Sequence, residues 1–265
     1  MSALSPAEEA GPTRATSRVA LVTGGSGSVG RHVCVQFAQL GYDVAFTYRS
    51  NKAARDAVLS EVTGMGRRGI AVALDLTSVA EVADFVAQVA GDLGGLDALV
   101  HAAGPYPPQR YLGSVQPTLF HTHVEQELNS FFNVVSPCLP HLRERQGSVT
   151  AVTTFAVRKF PLRDGLSAAP KAGVEGVVRA LAAEEGRYGV RANCVGPGVL
   201  SEGLASALQE RGDFDEHVRE QVAREIPMKR FGRAAEVAEA VVFLGSDRAS
   251  YISGQCLDVD GGYSV

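Results

Sequence analysis

Two periods of apolar residues run through this chain and lay out its elements. Residues 19–23 (Val-Ala-Leu-Val-Thr) form a continuous apolar run, the mark of a strand buried on both faces. After a glycine-rich turn, Val29, Val33, Phe37 and Leu40 recur at helical spacing. Gly41 stops that helix, and residues 44–48 read as a second strand. A helix over about 52–63 leads to a third strand at 69–74. Val79, Val82, Phe85, Val86 and Val89 give the next helical stripe, followed by a strand at 96–100. A long helix is expected from about 119 to 143, and a strand at 148–153. A further helix leads to Gly189, a strand begins at Val190, and two helices are expected over 201–225. One last helix and one last strand complete the pattern. Residues 1–17 show no periodicity and are expected to be a disordered tail, leaving 18–265 as one domain.

Strands alternating with helices predict an α/β, doubly wound Rossmann fold. The expected sheet has seven mainly parallel strands ordered 3-2-1-4-5-6-7, with helices on both faces. The turn at Gly24, Ser26, Gly27, Ser28, Val29 and Gly30 lies between the first strand and helix. There its backbone N–H groups and the helix N-terminus can hold a dinucleotide pyrophosphate. Sites selective for NAD carry an acid at the end of the second strand. Here Arg49 and Ser50, with Lys52 nearby, stand in its place. That substitution favours the 2′-phosphate of NADP(H); a solvated basic corner is the plain alternative.

Composition narrows the function classes. A net charge of −4 argues against nucleic acid as a partner. No apolar run reaches the ~20 residues of a membrane span, and no secretory signal is evident, so the cytoplasm is the expected place. Cys34, Cys138, Cys194 and Cys256 are far apart in sequence and read as small buried apolar residues. His121 and His123, two apart on a helix, do not share a face, so no metal is expected.

From Arg18 to Val265 the chain resembles the single-domain short-chain dehydrogenases/reductases, β-ketoacyl-carrier-protein reductases in particular. The turn resembles that family's TGxxxGxG with Ser28 at the middle glycine. His101-Ala-Ala-Gly104 resembles its NNAG, leaving the backbone of Ala103 and Gly104 to lie against the cofactor. Asp75, followed by Leu76, stands where the family contacts the adenine region; capping of the next helix is the alternative role. Pro197-Gly198-Val199-Leu200 resembles the PG turn that packs on the nicotinamide, and Glu202 replaces a frequent threonine.

The family's catalytic Asn, Ser, Tyr and Lys fall on Glu127, Thr154, Ser167 and Lys171, with Lys171 also at the cofactor. Only the lysine is unchanged. Thr154 keeps a hydroxyl that can polarise a carbonyl, whereas Ser167 lacks the acidic, far-reaching phenol. Glu127 either neutralises Lys171 or acts as acid or base. Ser167 with Lys171 also resembles a nucleophile pair, with no oxyanion hole to support it. The resemblance implies an atypical NADPH-dependent ketoreductase of a small or polyketide-like carbonyl substrate, assembled as a homotetramer. A non-redox dehydratase or cyclase and a silent subunit of an active paralogue are the alternatives.

Overall fold

The computed structural model describes residues 17–203 and 216–265. The apolar runs become seven strands: β1 (Val19–Thr23), β2 (Asp43–Tyr48), β3 (Gly69–Ala73), β4 (Ala98–His101), β5 (Ser148–Val152), β6 (Arg191–Pro197) and β7 (Cys256–Val259). Their spatial order is β3-β2-β1-β4-β5-β6-β7. Every pairing between these strands is parallel, where the sequence suggested mainly parallel. β1 is buried along its whole length because it lies between β2 and β4 with helices above and below.

The helices are α1 (Ser28–Gln39), α2 (Lys52–Gly64), α3 (Val79–Leu93), α4 (Pro117–Val124), α5 (Ser130–Arg145), α6 (Ala156–Lys159), α7 (Gly165–Glu185), α8 (Glu216–Glu225) and α9 (Ala234–Gly245). α3, α5 and α7 bury Phe85, Phe131, Val134, Val174 and Val178 against one face of the sheet. α1, α2 and α9 bury Val33, Phe37, Val58, Val237 and Val241 against the other. The packing there leaves no slack: a Cβ added to Gly245 of α9 would stand 2.9 Å from the Phe37 ring. Emptying that space by Phe37→Ala would cost about 3–5 kcal/mol.

Two differences from the sequence reading matter for the site, and one expectation is described only in part. The single helix expected over 119–143 is α4 and α5 joined by a π turn, Glu125–Asn129. The expected pair of helices over 201–225 falls partly outside the described residues, of which α8 is the described part. The cysteines far apart in sequence include two that the sheet brings side by side, Cys194 and Cys256. Cys256, on the edge strand, is half-buried, unlike the other three. None of the described helices is long and apolar enough to cross a membrane.

Candidate active site

The glycine turn sits at the C-terminal end of β1, where the connections leave for opposite sides of the sheet through β2 and β4. Such a switch point opens a crevice beyond the strand ends. The turn is closed tightly. Gly27 donates its N–H to the Gly24 carbonyl at 2.9 Å, and a Cβ on Gly30 would stand 2.2 Å from that same oxygen. Gly24 has φ +68°, and a Cβ there would meet the Ala103 backbone at 2.9 Å. These two glycines therefore let the turn, the start of α1 and the loop after β4 approach one another. Ala103 is held by its N–H to Thr23 Oγ1 at 3.3 Å. Gly27, the residue before α1, has no side chain to cap the helix, whose first N–H groups face the crevice where an anion would bind. Ser28, the departure from the glycine pattern, lies under Gly203, where a Cβ would come within 2.5 Å of its Oγ.

Arg49 and Ser50 follow β2 and are exposed. Asp75 follows β3 and is also exposed. Its Oδ1 accepts from the Thr77 N–H at 3.0 Å and the Thr77 hydroxyl at 2.8 Å. Those hydrogen bonds, with a smaller contribution from Arg49, hold its carboxyl below the usual range. The cap of α3 is Ser78, so Asp75 folds the preceding turn and does not cap the helix, which corrects the alternative role suggested from sequence. Leu76 packs on the core, and its carbonyl accepts from Asn133 Nδ2 at 3.0 Å.

Across the sheet, Pro197 ends β6, and Gly198 donates to the Val259 carbonyl at 3.0 Å. Only glycine fits there, since a Cβ would stand 2.6 Å from Asp260 Cα. Val199 packs in a small cluster with Phe155 and Ile226, and Leu200 bridges to Gly232. Glu202, found where the family favours threonine, accepts from the Ala234 N–H at the start of α9 and pairs with Arg31 of α1.

The π turn supplies the chemical side of the crevice. Its extra residue widens the helix where Glu127 lies, and the side chain turns inward, 3% exposed. Glu127 Oε2 forms an ion pair with Lys171 Nζ of α7. The same oxygen would be 2.8 Å from a Cβ on Gly104, so the glycine after β4 makes room for the carboxylate. Ser167 stands one helical turn before Lys171 and is buried. Thr154, just beyond β5, accepts the Ala156 N–H on its hydroxyl oxygen at 3.2 Å.

Several further groups surround this pair, and Arg158, Glu175, Asp258 and Asp164 gave no signal in the sequence. Arg158 of α6 donates to the Thr154 carbonyl at 3.2 Å and to both oxygens of buried Glu175, at 3.0 and 3.1 Å. It also pairs with Asp258 of β7 at 2.5 Å. Glu175 is one turn past Lys171, so this network ties α7 to the loop carrying Thr154. Asp164 accepts from Gln109 at 3.2 Å, and burial raises its carboxyl against the pull of Gln109 and Lys171. His101, register partner of Thr23, lies 3.0 Å from the Thr23 hydroxyl and packs edge-on to Phe131. Complete burial, with Lys171 nearby, pushes it down to about 3. Burial lowers His123 too, against the opposing charge of Glu127. Both histidines were noted in the sequence, His101 in the stretch resembling NNAG and His123 beside His121, but not their burial near Lys171.

The glycine cradle, filled by any added Cβ, and the uncapped start of α1 fit the pyrophosphate of a dinucleotide. Known proteins agree with the fold. Residues 24–264 match the family described as enoyl-(acyl carrier protein) reductase. The 3-oxoacyl-acyl-carrier-protein reductase FabG of Staphylococcus epidermidis is 31% identical over 247 residues, 93% of this chain and 98% of that protein. The acetoacetyl-CoA reductase of Rhizobium meliloti is 32% identical over 93% of this chain and 98% of its own length. The crystal structure of levodione reductase superposes with a TM-score of 0.87 at 29% identity, covering 95% of this chain and 99% of that one. A variant of actinorhodin polyketide ketoreductase, solved with NADPH, gives 0.86 at 27% identity over 94% and 97%. With the seven-stranded order, the glycine cradle and the half-buried lysine of α7, these likenesses place the chain in the short-chain dehydrogenase/reductase family of oxidoreductases.

Proposed function

We propose that this chain is an NADPH-dependent carbonyl reductase whose proton delivery has been rebuilt without a tyrosine. The observation that carries the reading is the intact cradle at Gly24 and Gly30 beside a crevice that still holds Lys171 and Thr154. The turn from Gly24 to Gly30 would hold the pyrophosphate, and Arg49 with Ser50 the 2′-phosphate. Asp75 and Leu76 would lie at the adenine, and Ala103, Gly104, Pro197, Gly198, Val199 and Leu200 along the nicotinamide side. Lys171 would meet the nicotinamide ribose. The cofactor, when bound, supplies the hydride.

The chain's own residues do the rest. The Thr154 hydroxyl, fixed by Ala156 N–H and by Arg158 beneath its carbonyl, polarises the substrate oxygen. Ser167 is too short to place an acid there, and its hydroxyl is far weaker than a phenol. The proton therefore comes through water in the space that Ser167 leaves, with the Lys171 ammonium, held in place by Glu127, beside it. A missing general acid costs about 10²–10⁴-fold, so the substrate should be an activated carbonyl such as a diketone or a β-keto thioester. The polyketide ketoreductase and acyl reductases among its relatives support that class. Loss of nicotinamide absorbance with a panel of such carbonyls tests the reading.

A silent subunit is the second reading, and one observation favours it: Glu127 occupies the lysine that a reductase would use. Assembly belongs to either reading. We place the chain as a homotetramer in the cytoplasm. An open groove of about 510 Å³ lies between α3, the π turn, α5 and α7. Val79 and Phe132, 63% and 52% exposed, rim it and suit a two-fold contact. Tyr251, Leu257 and Val265 are exposed towards the C-terminus and suit a second one.

A further inference from the structure

Cys194 and Cys256 are register partners on adjacent parallel strands, β6 and β7. Neighbouring strands lie about 4.7–4.9 Å apart. That spacing falls inside the ~4.4–6.8 Å window of Cα separations a disulfide accepts. Both thiols lie on one face of the sheet. Cys194 belongs to the core formed with Val174 and Val178 of α7, and Cys256 packs against that core. Cys256 points into this layer, not out along the strand edge, because its polar neighbours are on α6, α7 and the end of β5. Arg158 Nη2 donates to its sulfur at 3.3 Å. Glu175 Oε1 accepts from its S–H at 3.5 Å, and Thr153 Oγ1 lies 3.9 Å away.

These surroundings set the two sulfurs apart from each other and from the rest. A hydrogen bond from Cys194 lowers the Cys256 thiol, with help from Arg158 and Thr153 and against burial and Glu175. The same bond, with burial, raises Cys194. Cys34 and Cys138 are raised by complete burial among apolar groups. A half-buried sulfur beside a guanidinium is the one placed to react first with an oxidant, and of the buried thiols only Cys194, its register partner, stands next to it; Cys34 and Cys138 sit among apolar groups on other elements.

We propose that Cys256 and Cys194 form a peroxide-reactive dithiol, with Cys256 the attacking sulfur and Cys194 the resolving one. The oxidant is hydrogen peroxide, small enough to reach a half-buried sulfur. The Cys256 thiolate attacks one peroxide oxygen, so that an S–O bond forms, the O–O bond breaks and hydroxide leaves. Sulfur is oxidised by two electrons and the peroxide is reduced by two. The Cys194 sulfur then attacks the sulfenic sulfur; the S–S bond forms, the S–O bond breaks, and the departing hydroxide takes the Cys194 proton as water. The sum is two thiols and one peroxide giving one disulfide and two waters. The reaction removes the Cys256 sulfur from Arg158, one of the groups that hold that guanidinium beneath Thr154.

The test is to treat the folded, full-length chain with hydrogen peroxide, alkylate the remaining thiols after unfolding, and map peptides without reduction. The expected result is one peptide pair joined through Cys194 and Cys256, with Cys34 and Cys138 alkylated and all four thiols restored by dithiothreitol. In Cys194→Ser, Cys256 should stop at the sulfenic acid and be trapped by dimedone. If that variant does not fold, the peptide map of the unmodified chain decides alone. Four alkylated thiols after peroxide, Cys256 overoxidised beside an intact Cys194, or a disulfide joining two copies of the chain would each overturn the proposal.

Discussion

Lys171 of α7 and Glu127 of the π turn form an ion pair at the floor of the crevice, their side chains 14% and 4% exposed. A partly desolvated ammonium needs a partner, and Glu127 reaches it only because the π turn rotates that position inward. Removing one partner should therefore cost more than removing both. Glu127→Gln is expected to destabilise the fold by about 3 kcal/mol, the low end for a broken buried pair. Lys171→Met should behave similarly, and the double variant should lose less than the sum of the two. Urea midpoints of the four proteins check this; additive losses would show that the pair is not coupled.

Cofactor selection turns on Arg49. With no acid at the end of β2, Arg49→Asp should repel a 2′-phosphate and accept a ribose hydroxyl. A charge-assisted hydrogen bond is worth about 1.5–3 kcal/mol. NADPH affinity should therefore fall roughly 10–100-fold, while NADH binding rises. Calorimetric titration of both cofactors reads the switch. Equal affinity of the unmodified chain for both would remove Arg49 from the site.

His101 makes the fold sensitive to acid in a defined window. It is neutral in the folded state, held down to about 3 from the ordinary 6.5 by burial and then by Lys171. Below pH 6.5 the unfolded chain binds a proton that the folded chain refuses, so stability falls as pH falls towards about 3. The slope is about 1.4 kcal/mol per pH unit. His101→Asn should flatten the stability curve over that window, as read by denaturation at several pH values. A curve unchanged by the substitution would mean that His101 takes up its proton without unfolding.

The architecture was legible because apolar runs and helical stripes alternate without ambiguity from Val19 to Val259, and short connections leave few topologies. The switch point followed, since a glycine turn between strand and helix has one place in such a sheet. The π turn was not legible. Its widening by one residue leaves the apolar spacing of α4 and α5 almost undisturbed, and only an acid at an inward position betrays it. Glu127 and Lys171 were named from the family pattern, with neutralisation of the lysine as one reading of Glu127, and the ion pair matches that reading; the turn that carries Glu127 was not foreseen. Arg158, Glu175 and Asp258 escaped notice because each reads in sequence as an ordinary surface charge. They are brought together from α6, α7 and β7 only by the fold. The pairing of Cys194 with Cys256 was hidden the same way, in strand register.

Returning the phenol tests what the site has lost. Ser167→Tyr places a phenol one turn before Lys171, on the face of α7 that lines the crevice. Ser167 is 9% exposed, so the ring needs space that the crevice must provide. Reduction of a β-keto thioester should rise about 10²-fold, the low end for one general acid. An unchanged rate with NADPH still bound would mean that proton delivery does not limit this chain. Loss of a measurable native activity would mean that the small serine serves the native substrate.

The most direct measurement follows the hydride itself. The unmodified chain is incubated with NADPH carrying deuterium at the transferable C4 position and with a panel of diketones and β-keto thioesters, and the products are examined by mass spectrometry. A reductase built on this cradle should oxidise the cofactor and deliver the deuterium to the carbinol carbon of at least one alcohol product. NADPH that binds but stays reduced across the whole panel, with no deuterium in any product, would contradict the redox account and leave a silent subunit as the better description.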